Sequence, residues 1–401
     1  MGNKRLIWFC LIVLMGSISA YSEVRLKPIF QGNIFGNISD AEEAKPSFRG
    51  NAEIRFVPVV EVGDKTAFLP ILRASYVGNQ TPIKIADEGT LLQQTQEYHG
   101  ELVALRDLSE KTTLSLRGGR TEILLRETVD EDWGHGLYDH NLTFGGMGLE
   151  HRVSPEFLPT RLRLDAEYSW IRYPNYLSLG SQSGIDNIGA KELDTNSWQV
   201  FFKGETSLGI RHFITYGVGL SQDDYVDQRV IAAVGTISQK KRQDSLLDVL
   251  ARWDTVFPGA KIQTGGGFGF DGRKRLSSQN SYDVTTLRFL GDYYNYDEVG
   301  LSPSAYITWI KPRLTASVGA NWGYRMYSTR PAQDTLGNYR DIPMKTKTRV
   351  LQTQIACPIA RRVKIEGSAN WYSSKSNNEY ETYYNYNYKS VTYLAGLSVE
   401  F

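Results

Sequence analysis

Apolar and polar residues alternate with a period of two along most of this chain. Residues 160–173 place Leu162, Leu164, Ala166, Tyr168 and Trp170 on one parity and Arg161, Arg163, Asp165, Glu167 and Ser169 on the other. Residues 313–327 set Leu314, Ala316, Val318, Ala320, Trp322, Tyr324 and Met326 against Thr315, Ser317, Asn321 and Arg325. Residues 48–60 and 390–401 repeat the pattern. Successive side chains of a strand point to opposite faces, so each stretch predicts a strand with one apolar and one polar face. No amphipathic helix of useful length interrupts the series.

Strand length narrows the fold. Strands of soluble sheets average about 5–6 residues, whereas a tilted membrane-crossing strand needs about 9–11. The alternating stretches reach or exceed that second length. They fall at about 23–35, 47–60, 66–78, 94–105, 111–125, 138–152, 160–173, 196–206, 209–222, 244–257, 260–271, 293–309, 313–328, 346–357, 362–373 and 388–401. Their connections form two alternating classes. Short ones lie at 61–65, 106–110, 154–159, 207–209, 258–259, 310–312 and 358–361. Long polar ones lie at about 36–46, 79–92, 126–137, 174–195, 223–243, 272–292, 329–345 and 375–387. That rhythm predicts an all-β, transmembrane, antiparallel up-and-down β-barrel of about 16 strands, within a range of 14–18. A soluble β-sandwich or propeller also alternates, but with shorter strands and without the two loop classes.

In hydrocarbon a sheet must close on itself, because an open edge would leave backbone polar groups unpaired. The apolar parity then faces lipid. It carries Tyr76, Trp170, Trp198, Tyr216, Trp322, Tyr324 and Trp371 toward the expected long-loop end, and Phe56, Phe202, Phe257, Trp309 and Phe401 toward the short-turn end. Two such belts suit aromatic rings at the two membrane interfaces. Glycines inside strands, such as Gly145-Gly146 and Gly265-Gly266-Gly267, fit tight bends or close packing in a curved wall.

Composition excludes several other classes. The 401 residues are 41% hydrophobic and 22% charged, with a formal net charge of +1. The mean hydropathy of −0.36 excludes a helical membrane protein. With 24 Tyr, 16 Phe and 8 Trp the chain is too aromatic to be disordered. Its neutrality offers nothing to nucleic acid. At the start, Lys4 and Arg5 precede the apolar run Leu6–Met15 and the small residues Gly16 to Ala20, the order of a secretory signal peptide. Residues 1–20 are therefore expected to be removed, with cleavage after Ala20 or Ser22, leaving 21–401 as a single barrel domain. The mature chain would keep one cysteine, Cys357, and so no internal disulfide.

The last strand carries the most specific motif. Tyr393, Gly396, Leu397, Val399 and the terminal Phe401 resemble the C-terminal assembly signal of Gram-negative outer-membrane β-barrel proteins, and within that superfamily the chain looks most like a porin-type channel. Leu394 stands where a polar residue is more usual. The resemblance implies residence in the bacterial cell outer membrane, periplasmic turns and extracellular loops. The partners it implies are the lipid bilayer and lipopolysaccharide, the barrel-assembly machinery, small hydrophilic solutes, and further copies of the chain in a homotrimer. It implies no cofactor.

On the other parity the predicted lumen is charged with both signs. Arg49, Glu53, Arg55, Glu97, Glu101, Arg117, Arg161, Arg163, Asp165, Glu167, Asp248, Arg252 and Arg325 are the pore-lining candidates. Charges so numerous require pairing or water, and barrels of 16–18 strands leave an aqueous passage. Passive diffusion of small hydrophilic solutes is the function this predicts, with 174–195 or 223–243 as loops long enough to fold inward and narrow the passage. Opposite charges bracing neighbouring strands are the structural alternative for any one of these residues. Two other functional classes stay open. The loop holding Asp130, Glu131, Asp132, His135, Asp139 and His140 is a weak metal or hydrolytic candidate through His135 and His140, without an H-E-x-x-H arrangement or a serine nucleophile. The Tyr- and Asn-rich loop 375–387 would suit a structural or adhesive barrel.

Overall fold

The computed structural model describes residues 24–41, 47–79, 83–85, 89–128, 131–153, 158–177, 191–381 and 386–401. The expected signal peptide and its cleavage point lie outside the described residues. Sixteen long strands form one closed antiparallel barrel. They are β1 (Val24–Ala41), β2 (Ser47–Val62), β3 (Thr66–Asn79), β4 (Gly89–Ser109), β5 (Thr112–Thr128), β6 (His140–Val153), β7 (Thr160–Arg172), β8 (Thr195–Leu208), β9 (His212–Ile231), β10 (Ile237–Phe257), β11 (Ile262–Ser277), β12 (Tyr296–Trp309), β13 (Thr315–Gln333), β14 (Tyr339–Ala360), β15 (Val363–Ser376) and β16 (Tyr388–Glu400). Each of the sixteen alternating stretches of the sequence is one of these strands. Every strand pairs with its neighbours in sequence, and β1 also pairs with β16, with Gln31 opposite Glu400 and Ala41 opposite Ser390. At that seam the Phe30 amide donates to the Phe401 carbonyl at 2.9 Å and the Phe401 amide returns a bond to the Phe30 carbonyl at 2.8 Å.

The wall is apolar outside. Ile34, Ile54, Leu72, Met147, Phe268, Trp322, Ile355 and Leu397 are each more than a third exposed, on the parity the alternation assigned to lipid. An exposed apolar girdle of this extent suits hydrocarbon and not water. Among the described residues only eight apolar side chains are buried, and Val230, Leu290, Tyr296, Ala332 and Met344 among them belong to the long-loop end. Sixteen strands about 4.8 Å apart and tilted by about 40° enclose a backbone cylinder of roughly 16 Å radius. Side chains about 6 Å long cannot fill such a cylinder, so loops or water must.

Several strands run well past the membrane-crossing length. Residues 223–243, expected as a loop, instead continue β9 and β10 into a hairpin closed by the turn 232–236. Residues 329–345 likewise extend β13 and β14 to a turn at 334–338. Both extensions are polar but keep extended backbone pairing, which composition alone does not disclose. Between β11 and β12 a small hairpin pairs Ser281–Asp283 with Arg288–Leu290. One aromatic is also misplaced by the sequence reading. Tyr216 lies near the Gly209–Arg211 turn, at the short-turn end, where its ring covers the face of Gly204 opposite it. No helix among the described residues is long and apolar enough to cross a membrane.

Candidate functional site

The charged parity faces the barrel interior and is organised as ion-pair ladders. Arg73 on β3 reaches Glu97 on β4. Arg161 on β7 touches Glu150 on β6 at 3.4 Å and Glu205 on β8 at 3.6 Å. Arg163 donates to Asp165 two residues along the same strand at 2.7 Å, and Lys203 pairs with Glu205 at 2.6 Å. Across the barrel Asp248 receives Arg273 at 2.7 Å, Arg252 meets Asp254 at 2.8 Å, and Arg325 binds Glu298 at 2.6 Å. Glu101 stands 3.4 Å from His99. Arg49, Glu53 and Arg55 line the same face of β2, where Arg55 lies opposite Arg73 and Glu53 opposite Ser75. The interior face thus carries all thirteen charges singled out from sequence.

Two further contacts skip a strand. Arg117 on β5 and Glu167 on β7 meet at 2.9 Å across β6, where Gly146 separates them. A Cβ at Gly146 would lie 2.8 Å from the Ala166 carbonyl and 3.3 Å from both Arg117 Nε and Glu167 Cβ. Arg252 crosses β11 in the same way, its guanidinium donating to Ser304 Oγ at 3.0 Å beside Gly267. Absent side chains at these positions let long polar ones lie flat against the wall. At the short-turn end, Glu61, Lys65, Asp107, Glu150, Arg152 and Arg163 line a cavity of about 560 Å³.

The long-loop end holds a second cluster that the sequence reading passed over. Asp244 is almost fully buried and accepts from Arg242 at 2.6 Å, from Arg275 at 2.6 Å and from Ser277 Oγ. The Arg242 guanidinium lies 4.4 Å from the Tyr225 ring centre and 5.1 Å from that of Tyr294. Arg330 is held among Tyr293, Tyr327 and Tyr386, with a 2.6 Å hydrogen bond to the Tyr386 hydroxyl. Several of these residues fall in segments expected to be loops. The available signal was alternation running on beyond strand 244–257, in a polar register with no apolar face to mark it.

The acid–histidine loop does not converge on a site. Asp139 accepts from the backbone amides of Leu125 at 2.7 Å and Gly136 at 3.1 Å, which makes it the clasp of its own loop. His140 stacks on Tyr173 at 4.9 Å. His135 closes a backbone turn with Asp132. Asp130 lies outside the described residues. No group of three His, Cys, Asp or Glu side chains among the described residues is placed to hold a metal ion. At the C-terminus, Tyr393, Leu397, Val399 and Phe401 face outward and Gly396 inward, where the Phe35 ring occupies the space a Cβ would take.

No protein-family model matches the chain, and no curated protein matches its sequence. Solved structures similar to it in fold include the outer membrane protein opdK of Pseudomonas aeruginosa, 11% identical, with a TM-score of 0.45 over 94% of this chain and 99% of that one. OccAB1 of Acinetobacter baumannii is 9% identical, with a TM-score of 0.49 over 94% and 97%. OmpT, an outer membrane protein of Vibrio cholerae in a trimer form, is 9% identical, with a TM-score of 0.46 over 94% and 99%. At such identities no residue role passes from them to this chain.

Proposed function

We propose that this protein is a porin-like channel of the bacterial outer membrane, through which small hydrophilic solutes diffuse passively down their gradients. The observation that supports it most is the contrast between the two faces of one closed wall. Outside is a continuous apolar girdle; inside are ladders of half-exposed ion pairs, including Arg161 with Glu150 and Glu205, Arg252 with Asp254, and Arg273 with Asp248. Ion pairs of this exposure are stable only beside water, and a hydrated inner face on a cylinder of sixteen strands is a passage. On this reading the thirteen interior charges line it. Alternating signs brace neighbouring strands while offering a passing solute hydrogen-bond partners in place of water. The short turns face the periplasm and the extended hairpins face outward. The C-terminal strand, with Phe401 at its end, serves as the signal read by the assembly machinery.

Purified full-length protein in a planar bilayer should give stepwise conductance, and liposomes containing it should swell in small sugars with a sharp size cut-off. Sealed bilayers and unswollen liposomes would overturn the reading. They would leave a barrel whose activity, structural or enzymatic, resides in its loops.

A further inference from the structure

The outward face of β14, β15 and β16 turns from apolar to cationic toward the long-loop end. Reading toward the long-loop end, β14 presents Ile355, Thr353 and Leu351, then Arg349, Lys347 and Lys345. On β15 the same parity carries Ile365 and Trp371 and then Lys375. On β16 it carries Leu397, Tyr393 and Val391 and then Lys389. Register places Leu351, Trp371 and Val391 side by side, with Arg349 opposite Trp322 on β13. The cations therefore begin level with Trp322 and one step above Trp371, at the level of lipid headgroups. Arg349, Lys347, Lys375 and Lys389 are exposed.

Two features describe this patch. Lys347 and Lys375 are direct cross-strand partners, and like charges placed opposite each other destabilise a sheet. By contrast, the outward Lys274 stands 3.9 Å from Asp297, and Lys241 stands 3.9 Å from Asp227. Among the described residues no carboxylate lies within ion-pairing distance of Lys345, Lys347, Arg349 or Lys375. The wall holds like-charged partners at other places too, among them Arg55 with Arg73 and Arg229 with Lys241; here four cations stand together with no carboxylate beside them, and their counter-charge must come from outside the chain. The surrounding medium determines its kind. An anion at headgroup depth, above an apolar wall and flanked by Trp322 and Trp371, is the phosphate of a lipid whose chains lie along that wall.

The geometry points to a binding site on β14–β16 for a phosphorylated lipid of the outer leaflet, gripped by Lys345, Lys347, Arg349 and Lys375, with Lys389 at its edge. The site rests on the outer-membrane reading above but not on conductance. The binding arises from charge-assisted hydrogen bonds to phosphate oxygens plus contact between acyl chains and the aliphatic strip below.

The test uses the full-length protein in non-ionic detergent, titrated with bis-phosphorylated lipid A and followed by native mass spectrometry. Binding should fall by about tenfold or more in the K347Q/R349Q/K375Q variant. A control of equal charge change at the short-turn end, K311Q/R313Q/R361Q, should bind like the parent. Dephosphorylated lipid A should bind weakly to the parent, and millimolar inorganic phosphate alone should compete poorly. The K375Q single variant should unfold in plain detergent at the same or a higher denaturant concentration than the parent while binding lipid A less tightly, a combination that no general loss of folding produces. Equal losses in both triple variants, full binding by the patch variant, or equal binding of the dephosphorylated lipid would each overturn the site. Conductance in the planar bilayer reports the channel reading separately, and the patch variant should leave it unchanged.

Discussion

Neutralising Asp244 puts the packing of the long-loop end of the barrel to its most direct test. Its carboxylate is almost completely enclosed and takes hydrogen bonds from Arg242, Arg275 and Ser277. In Asp244→Asn the shape persists, but two guanidiniums are left facing each other without a counter-charge. Removing one partner of a fully buried ion pair costs about 3–5 kcal/mol. Arg242 is 11% exposed but Arg275 is 32% exposed, so water screens part of the second interaction and about 3 kcal/mol is the expected loss. The loss is local, because Asp244 ties the β9–β10 hairpin to the end of β11. An opening equilibrium weakened by that amount rises about a hundredfold. Trypsin reads it directly at the exposed Lys240 and Lys241. In detergent at low protease concentration, cleavage there should accelerate about a hundredfold while the barrel keeps its heat-modifiable electrophoretic mobility. Adding Arg275→Gln should recover a substantial part of the loss, since it removes half of the stranded charge. Cleavage faster by less than about threefold, or loss of the whole barrel together with the hairpin, would refute the argument.

Other consequences follow from the interior wall and the loops. Glu167→Gln frees the Arg117 guanidinium that it pairs at 2.9 Å, and on the proposed channel function the reversal potential in a salt gradient should move toward anions relative to the parent. Gly146→Val would push a side chain into the Ala166 carbonyl and the Arg117–Glu167 contact; urea unfolding in micelles should show a loss of about 1–3 kcal/mol. Asp283 lies in the small hairpin beyond the barrel. Partial burial pushes its carboxyl upward, but hydrogen bonds from Tyr339, from Thr286 and from the Thr285 amide outweigh this and hold it below the usual carboxylate range. Its contribution is therefore complete above the ordinary carboxylate pKa of about 3.9 and is lost as pH falls through the depressed value. Protease susceptibility of residues 284–287 should rise below about pH 4 in the parent, and in Asp283→Asn it should be high and insensitive to pH.

What the sequence by itself determined is the wall. Sixteen runs of alternation, each long enough to cross hydrocarbon, leave little freedom. A one-residue slip in any strand would turn its apolar set from lipid to water, so periodicity fixes both the strands and which parity is oily. Ile54 and Arg55, or Trp322 and Arg325, could be assigned to opposite faces before any pairing was known, and they stand there. Tertiary structure alone decided which charges meet. Arg117 finds Glu167 across an intervening strand because Gly146 leaves room, and Arg242, Asp244 and Arg275 converge from two strands. Such contacts depend on register and on the closure of β1 against β16, which bring together residues far apart in the chain and leave no local period behind. The same reason hid the extended hairpins at 223–243 and 329–345. Beyond the bilayer both faces meet water, so the pairing continues while the pattern that announces a strand fades.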